Sequence, residues 1–257
     1  MRRLLTLELG LTFAFLYLPI AILIVLSFNR AGMPTAWTGF SMDWYGKLMA
    51  SPKIIAATRN SLIVAASSTA IATVLGTMLA IGIEQRRASA KIDALLFAPM
   101  IIPDIVLAIA LLTFFTLVGA TLGLYSIVLS HVVFNIAFVT AVVRARLKSF
   151  DWALEEASRD LGAGAWTTFR AVTLPLILPS VIAAALLAFT LSFDEFIIAY
   201  FTAGAGQGST TLPMQIYAMI RFGVTPEINA MATIIIIVSF ILVLSAQRLN
   251  RGRLPGP

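Results

Sequence analysis

Six apolar runs, each long enough to cross a lipid bilayer as a helix, restrict this chain to the membrane proteins. The runs cover residues 10–28, 60–83, 94–118, 124–143, 175–201 and 228–246. A transmembrane helix needs about 20 predominantly apolar residues. Charged residues make up 12% of the chain, whereas a soluble domain carries roughly 25%. The sequence therefore predicts an all-α polytopic membrane protein in which residues 1–257 form one transmembrane domain of six helices.

The first run follows two arginines, as the apolar core of a signal peptide does. It is longer than such a core and lacks a small-x-small cleavage site. We therefore expect an uncleaved first transmembrane helix over residues 10–28.

The second and third runs carry local signals about packing and continuity. One face of the second run bears only small side chains, at Ser68, Ala72, Gly76 and Ala80. Small residues let helix backbones approach closely in lipid, so we expect this helix at the centre of the bundle. Pro99 and Pro103 interrupt the third run. Because proline removes a backbone donor, we expect a kink or a break there.

The distribution of basic residues predicts how the chain is oriented in the membrane. If the amino terminus faces the cytoplasm, 13 of the 18 Lys and Arg residues lie on the cytoplasmic side. This is the positive-inside pattern, and it places both termini and the loop at residues 144–174 in the cytoplasm. The net charge of +6 is therefore a topology signal and not a sign of nucleic-acid binding.

The loop at residues 144–174 is the longest polar-rich stretch between two apolar runs. Asp151 is suited to cap a helix in this loop. Gly162 and Gly164 are suited to end that helix, since glycine tolerates the left-handed geometry of a helix C-terminus. We therefore expect a short helix, a glycine break and a second short helix before the fifth run.

The predicted loop helix leaves one edge acidic. Glu155 and Arg159 are spaced i,i+4 and can satisfy each other. Glu156 and Asp160 have the same spacing, but both are acids. Such an edge is suited to dock on a basic partner, whereas the alternative interpretation is a solvated amphipathic loop between two spans.

Three short runs of the loop are Glu156-Ala157-Ser158, Leu161-Gly162-Ala163 and Val172-Thr173-Leu174-Pro175. Together they resemble the EAA loop of ABC importer permeases, with Ser158 where alanine is usual. The resemblance implies that the loop holds the coupling helix, which sits in a cleft of a cytoplasmic ATPase and transmits its closure. The residues that we assign to coupling are Glu155, Glu156, Ala157, Asp160, Leu161, Gly162 and Ala163.

Three carboxylates, Asp104, Asp194 and Glu195, lie within apolar runs. An ionised residue near the bilayer centre costs on the order of 2.5–3.5 kcal/mol on insertion scales, so such residues point to a polar pathway or to specific partners. On one continuous helix the side chains of the adjacent pair diverge by about 100°. No Lys or Arg lies in the same runs, and nothing local explains the pair. A passing cationic solute would supply the counter-charge, although Asp104 can equally cap a helix that restarts after Pro103.

Two aromatic residues complete the candidate pathway. Phe193 precedes the acid pair and could hold an ammonium group, with core packing as the alternative, and Tyr217 could line the outer gate. His131 and Asn135, one turn apart in the fourth run, are expected to make interhelical hydrogen bonds rather than to bind a ligand.

Further runs are Pro103-Asp104-Ile105-Val106, Leu191-Ser192-Phe193-Asp194-Glu195 and Gly223-Val224-Thr225-Pro226-Glu227. They resemble the spermidine/putrescine importer permeases of the C-subunit type, with Glu195 where aspartate is usual. The resemblance implies a type I importer fold in a bacterial cytoplasmic membrane and a polyamine as cargo. It also implies a second permease subunit, a dimer of cytoplasmic ATPase subunits and a periplasmic or lipid-tethered solute-binding protein.

The sequence itself offers no catalytic machinery. It has no Gly-Lys-Ser/Thr phosphate loop, so ATP would be bound by the partner subunits. It also has no cysteine and a single histidine, which leaves no thiolate or histidine-rich metal site. We predict a conduit and a transducer that carries no cofactor.

Three alternative functions stay open. The first is an importer permease for another small organic solute, such as an amino-acid-like or opine-like compound. The others are a proton-coupled secondary transporter that uses the three acids as proton carriers, and a membrane scaffold.

Overall fold

The computed structural model describes residues 2–32, 37–86, 89–221, 223 and 225–251. Within them the regular secondary structure is helical, apart from an isolated bridge between Asn29 and Phe40. The α-helices are α1 (Arg2–Leu26), α2 (Asp43–Ala50), α3 (Pro52–Arg86), α4 (Ala90–Ile101), α5 (Asp104–Leu117), α6 (Leu124–Leu147), α7 (Ala153–Asp160), α8 (Ala165–Thr168), α9 (Leu174–Asp194), α10 (Ile197–Thr202), α11 (Leu212–Ile220) and α12 (Pro226–Arg251). Arg87 and Arg253 of the charge count, and Val224 of the resembling run, lie outside the described residues.

The prediction of an all-α polytopic membrane protein is confirmed. By length and apolar composition, four helical segments of the described residues could cross a membrane: Leu5–Leu26, Pro52–Arg86, Leu124–Leu147 and Ala165–Asp194. There is a fifth span if the bent pair Lys91–Ile101 and Asp104–Leu117 counts as one, and the described apolar part of α12, Pro226–Val238, is shorter. The number of six transmembrane helices and the side on which the termini lie stay predictions.

The third apolar run is broken at its second proline. Helix α4 ends at Ile101 and α5 begins at Asp104, and the two helices are bent by 105°. Ile102 between them is extended, with φ −69° and ψ 133°, because a residue before proline is pushed out of the α region. Pro99, by contrast, is accommodated inside α4. The break is caused by Pro103, because proline has no backbone N–H with which to continue the helix.

The fifth apolar run is also split. Helix α9 ends at Asp194, and Glu195 is extended with φ −71° and ψ 125° before α10 begins. At the other end α9 is entered through a π-helical turn in which the Leu174 N–H donates to the Phe169 carbonyl. A π turn suits this place because Pro175 follows and cannot donate to the preceding turn. The helix expected over this run is therefore discontinuous near its far end.

The chain divides into two compact units, one formed by Met1–Ile55 with Gln215–Pro257 and the other by Ala56–Met214. In the first unit α12 contacts α1 and α2. In the second unit α6 is central, because it contacts α4, α5, α9 and α10, most extensively α9. The α6–α9 core is apolar and fully buried around Val143 and Ala188.

The small-residue face of α3 is packed against its neighbours. Ser68, Ala72 and Ala80 are each 0% exposed. A Cβ added to Gly76 would lie 2.8 Å from the Val139 side chain of α6, closer than real Cβ contacts allow. The backbones of α3 and α6 therefore approach each other at Gly76, as the pattern of small residues predicted.

Gly76→Ala is expected to destabilise the chain by roughly 1–3 kcal/mol, the usual cost of overpacking a core. Gly82→Ala is the matched control, since no atom lies within 4 Å of a Cβ added there. Alanine raises helix propensity, so this control should be neutral or more stable by up to about 1 kcal/mol. Thermal unfolding of the purified chain in detergent measures both variants, and equal stability of the two would contradict close α3–α6 packing.

Candidate functional site

The coupling loop, residues 144–174, is built around the short helix α7. The Oδ1 atom of Asp151 accepts the backbone N–H of Ala153 at 3.1 Å, which satisfies one of the free donors at the helix start. The last residue of α7 is Asp160, and Gly162, two positions later, has φ +85° and donates its N–H to the Arg159 carbonyl at 2.8 Å. The glycine turn at the end lies where the sequence predicted it, whereas Trp152 and not Asp151 occupies the N-cap position. Gly164 has another role, because with φ −69° it precedes α8.

Gly162→Val is expected to open this turn locally. A side chain in the left-handed region costs about 1–2 kcal/mol, and no atom lies within 4 Å of the added Cβ, so the cost is conformational and not steric. Proteolytic cleavage next to residue 162 should therefore speed up by roughly tenfold. Gly164→Val is the matched control, equally open but at φ −69°, and should be cleaved at the wild-type rate. Equal cleavage of both variants would contradict the requirement for glycine.

Glu155 faces inward and joins three elements. It is 7% exposed and accepts hydrogen bonds from Thr173 Oγ1 at 2.5 Å, Gln85 Nε2 at 3.3 Å and Arg159 Nη2 at 3.3 Å. The contact with Arg159 is the predicted i,i+4 pair, whereas the sequence did not reveal Gln85 or Thr173. The carboxylate therefore ties α7 to the end of α3 and to the π turn that leads into α9.

The remaining predicted coupling residues are mostly on the surface. Those exposed are Glu156, Ala157, Asp160, Leu161 and Gly162, while Ala163 is half-buried. Leu161 is 91% exposed, and Trp166, which sequence reasoning did not single out, is 71% exposed. Two acids and two large apolar side chains on one loop form a surface suited to a partner with basic groups and an apolar recess.

A second set of charges that the sequence did not pair joins the ends of three long helices. Arg144 on α6 donates from Nε to Glu84 on α3 at 2.7 Å and from Nη1 to Asp93 on α4 at 2.8 Å. The sequence signal was that each charge borders an apolar run, since Glu84 and Arg144 follow one and Asp93 precedes one. This pairing ties the end of α6, from which the coupling loop departs, to the end of α3 and the start of α4.

A cleft of about 420 Å³ in the second unit brings together the three predicted pathway acids. It is lined by Asp104, Phe134, Thr190, Leu191, Asp194, Glu195, Phe196 and Ile197. Phe193 is not among the lining residues, and its ring stacks on Phe189 at 6.1 Å. Tyr217 lies on α11 and is 44% exposed. The structure therefore gathers the three acids at one cleft of the second unit, without Phe193 in its lining.

Helix breaks place two of these acids at the cleft. Asp104 is the first residue of α5, directly after the break at Pro103, and its charge is favoured by the positive end of the helix dipole. Asp194 is the last residue of α9, before the second break. Both residues are exposed, so both carboxylates are accessible to a solute that enters the cleft.

Glu195 differs from its neighbour, because it has local partners. Its side chain is 8% exposed, and its two oxygens accept the backbone N–H groups of Ile198 at 2.8 Å and Ala199 at 2.9 Å. The Nε2 atom of His131 lies 3.4 Å from Oε2. The expectation that nothing local explains the acid pair is therefore wrong for Glu195, whose carboxylate caps the start of α10.

The predicted interhelical role of His131 is confirmed, since its Nδ1 lies 2.7 Å from Ser192 Oγ on α9. Asn135 is 0% exposed, but within the described residues neither atom of its amide has a hydrogen-bond partner. No group of three or more His, Cys, Asp or Glu side chains in the described part of the chain could hold a metal ion.

The chain matches, over residues 72–254, the family described as binding-protein-dependent transport system inner membrane component. It is 40% identical over 246 residues to the spermidine/putrescine transport system permease protein PotC of Escherichia coli K12, covering 95% of this chain and 92% of the relative. It is 38% identical over 257 residues to the putrescine transport system permease protein PotI of the same strain, covering 95% and 91%.

Solved structures show the same fold at low sequence identity. A chain of a bacterial ABC transporter involved in the import of the acidic polysaccharide alginate superposes with a TM-score of 0.77 at 18% identity, covering 98% of this chain and 96% of that one. A chain of the MetNI methionine ABC transporter in an inward-facing conformation superposes with a TM-score of 0.62 at 20% identity, covering 84% and 100%.

Proposed function

The chain belongs to the family of binding-protein-dependent transport system inner membrane components, and from that membership we propose that it forms half of the pathway through which a polyamine such as spermidine or putrescine is imported. As a member it is an inner-membrane permease subunit of an ABC importer and not an enzyme. The choice of solute is supported by the names of the relatives and by the chemistry of the cleft.

The observation that carries the proposal is the cleft that gathers Asp104, Asp194 and Glu195. Carboxylates within an apolar helix bundle are retained where they have a function. A polyamine carries several ammonium groups, and each can be neutralised in turn by exposed acids such as Asp104 and Asp194. A neutral solute would leave both charges without a counter-ion.

The coupling loop supports the proposed way in which ATP drives transport. Its acids and exposed apolar side chains would dock on a cytoplasmic ATPase dimer, which binds the ATP. Closure of that dimer would move α7, and Glu155 would pass the movement to α3 and α9 through its bonds with Gln85 and Thr173. A second permease subunit, most simply a different chain, would supply the other half of the pathway, and a solute-binding protein would deliver the solute from outside.

The orientation is tested by single cysteines in this naturally cysteine-free chain. Leu161→Cys is expected to react with a membrane-impermeant maleimide in inside-out vesicles and not in right-side-out spheroplasts. Thr38→Cys, in the segment between the first two long helices, is expected to show the opposite pattern. Labelling of Leu161→Cys from outside would contradict the six-helix topology and the docking of the loop on an ATPase.

The solute is tested by reconstitution of this chain in liposomes with its sister permease, the ATPase subunits and the solute-binding protein. ATP-dependent accumulation of labelled putrescine or spermidine is expected. Accumulation of an amino-acid-like or opine-like compound in place of either polyamine would overturn the choice of solute. Uptake driven by a proton gradient with this chain alone would overturn the importer mechanism.

A further inference from the structure

A chain of polar side chains links three helices in the interior of the second unit. The hydroxyl of Ser68 on α3 lies 2.9 Å from that of Ser192 on α9. Ser192 Oγ lies 2.7 Å from Nδ1 of His131 on α6. His131 Nε2 lies 3.4 Å from Glu195 Oε2, which is within ion-pair distance, but within the described residues Nε2 makes no hydrogen bond. Ser68, Ser192 and His131 are at most 3% exposed. Solvent therefore does not compete for these contacts.

The contacts favour one direction of proton donation. If Ser68 donates to Ser192, and Ser192 donates to His131 Nδ1, a neutral ring carries its proton on Nε2, the ring nitrogen that lies 3.4 Å from the Glu195 carboxylate. If a neutral His131 ring instead donated from Nδ1 to Ser192, the lone pair of Nε2 would face the Glu195 carboxylate. The Ser68 hydroxyl also lies 3.3 Å from the Ala65 carbonyl, but its contact with Ser192 is shorter.

Glu195 is contacted from two sides of the helix break. The start of α10 supplies two backbone N–H groups as hydrogen-bond donors, from Ile198 and Ala199. From α6, His131 places its Nε2 atom 3.4 Å from Oε2 without hydrogen-bond geometry. With its oxygens engaged and its side chain 8% exposed, this carboxylate is turned toward the protein. Asp194 precedes it in the chain, lines the same cleft and is exposed.

We propose that His131 is a positioning residue that holds Glu195 on the first turn of α10 and thereby fixes the α9–α10 break, so that Asp194 is the member of the acid pair presented to the solute. The effect on transport rests on the proposed function. The position of the proton on the His131 ring does not, because it is a property of the chain without solute.

The ring proton is tested first. His131 is the single histidine of the chain, so the full chain labelled with [¹⁵N]histidine and placed in lipid nanodiscs gives one pair of ring nitrogen signals. A protonated Nε2 and an unprotonated Nδ1 are expected. Ser192→Ala should then shift the Nδ1 signal, and Glu195→Gln the Nε2 signal. A proton on Nδ1, or signals that neither variant moves, would overturn the proposal.

Transport by the assembled importer is the second test. His131→Leu is expected to lower the uptake rate by roughly tenfold, because it removes the polar contact with the Glu195 carboxylate. His131→Gln keeps an N–H donor and should recover the rate to within about threefold of wild type. In a Glu195→Gln background, His131→Leu should cost less than about twofold more, because the contact is already weakened.

Ser130→Ala is the matched control for a buried polar residue on the same turn of α6. Within the described residues the Ser130 hydroxyl has no hydrogen-bond partner, so its removal should leave uptake unchanged. Independent, additive effects of His131→Leu and Glu195→Gln would overturn the positioning role. If the wild-type importer carries no polyamine at all, the proposed function fails, while the nitrogen spectra still decide where the ring proton lies.

Discussion

Glu156→Lys is expected to reduce ATP-driven uptake to less than about a tenth of the wild-type rate while the subunit still inserts and ATP hydrolysis continues. Glu156 is exposed on α7, and within the described residues its charge takes part in no ion pair, so it is available to a partner. Losing one member of a desolvated interface pair costs about 2–5 kcal/mol, and reversal of the charge adds repulsion. Uptake and ATP hydrolysis measured on the same proteoliposomes give the coupling ratio directly.

The neighbouring substitution Glu155→Lys serves as the contrast. Glu155 is buried and bonded within the chain, so a lysine there leaves an unpaired charge and should cost roughly 3–5 kcal/mol of stability. Glu156→Lys should change thermal stability by no more than about 0.5 kcal/mol, as exposed substitutions do. The two adjacent changes therefore separate docking from folding. Wild-type coupling in Glu156→Lys would contradict the assignment of this face to the ATPase.

The coupling loop was largely predictable because its signals are local. A capping aspartate, a glycine in the left-handed region and an i,i+4 ion pair each act within one or two turns of α7. The inward role of Glu155 was not predictable. Gln85 and Thr173, its further partners, lie 70 and 18 residues away along the chain. Sequence spacing alone therefore cannot decide which of two adjacent glutamates meets a partner protein.

The two helix breaks show the same limit. Pro103 predicts the first break, because proline lacks a backbone N–H and also disfavours the helical conformation of the preceding residue. No glycine or proline marks the second break at Glu195, where apolar residues continue on both sides. That break is stabilised by the hydrogen bonds that the Glu195 carboxylate accepts from backbone N–H groups of α10, and by its contact with His131 of α6. His131 lies 64 positions earlier in the sequence. A divergence of 100° between adjacent side chains requires one continuous helix, whereas the backbone changes from helical at Asp194 to extended at Glu195.

Asp104→Asn combined with Asp194→Asn is expected to lower polyamine uptake by about two orders of magnitude. Both carboxylates are exposed and line the same cleft. An ammonium group about 4 Å from a carboxylate gains roughly 1 kcal/mol in water and about 4 kcal/mol near a protein surface, so two lost contacts amount to several kcal/mol. Asparagine keeps the shape of the side chain, and the fold should be retained. Initial uptake rates at saturating ATP and solute-binding protein measure the effect.

Glu227→Gln is the control for this prediction, because it neutralises an acid in the first turn of α12 and not at the cleft. Its expected uptake is within about twofold of wild type, as for most substitutions away from a site. If the loss depends on charge, Asp104→Glu combined with Asp194→Glu should retain more uptake than the amide pair despite the longer side chains. If both pairs lose uptake equally, the cleft requires the size of aspartate and not its charge. Unchanged uptake in the amide pair would mean that polyamines cross the membrane along another path.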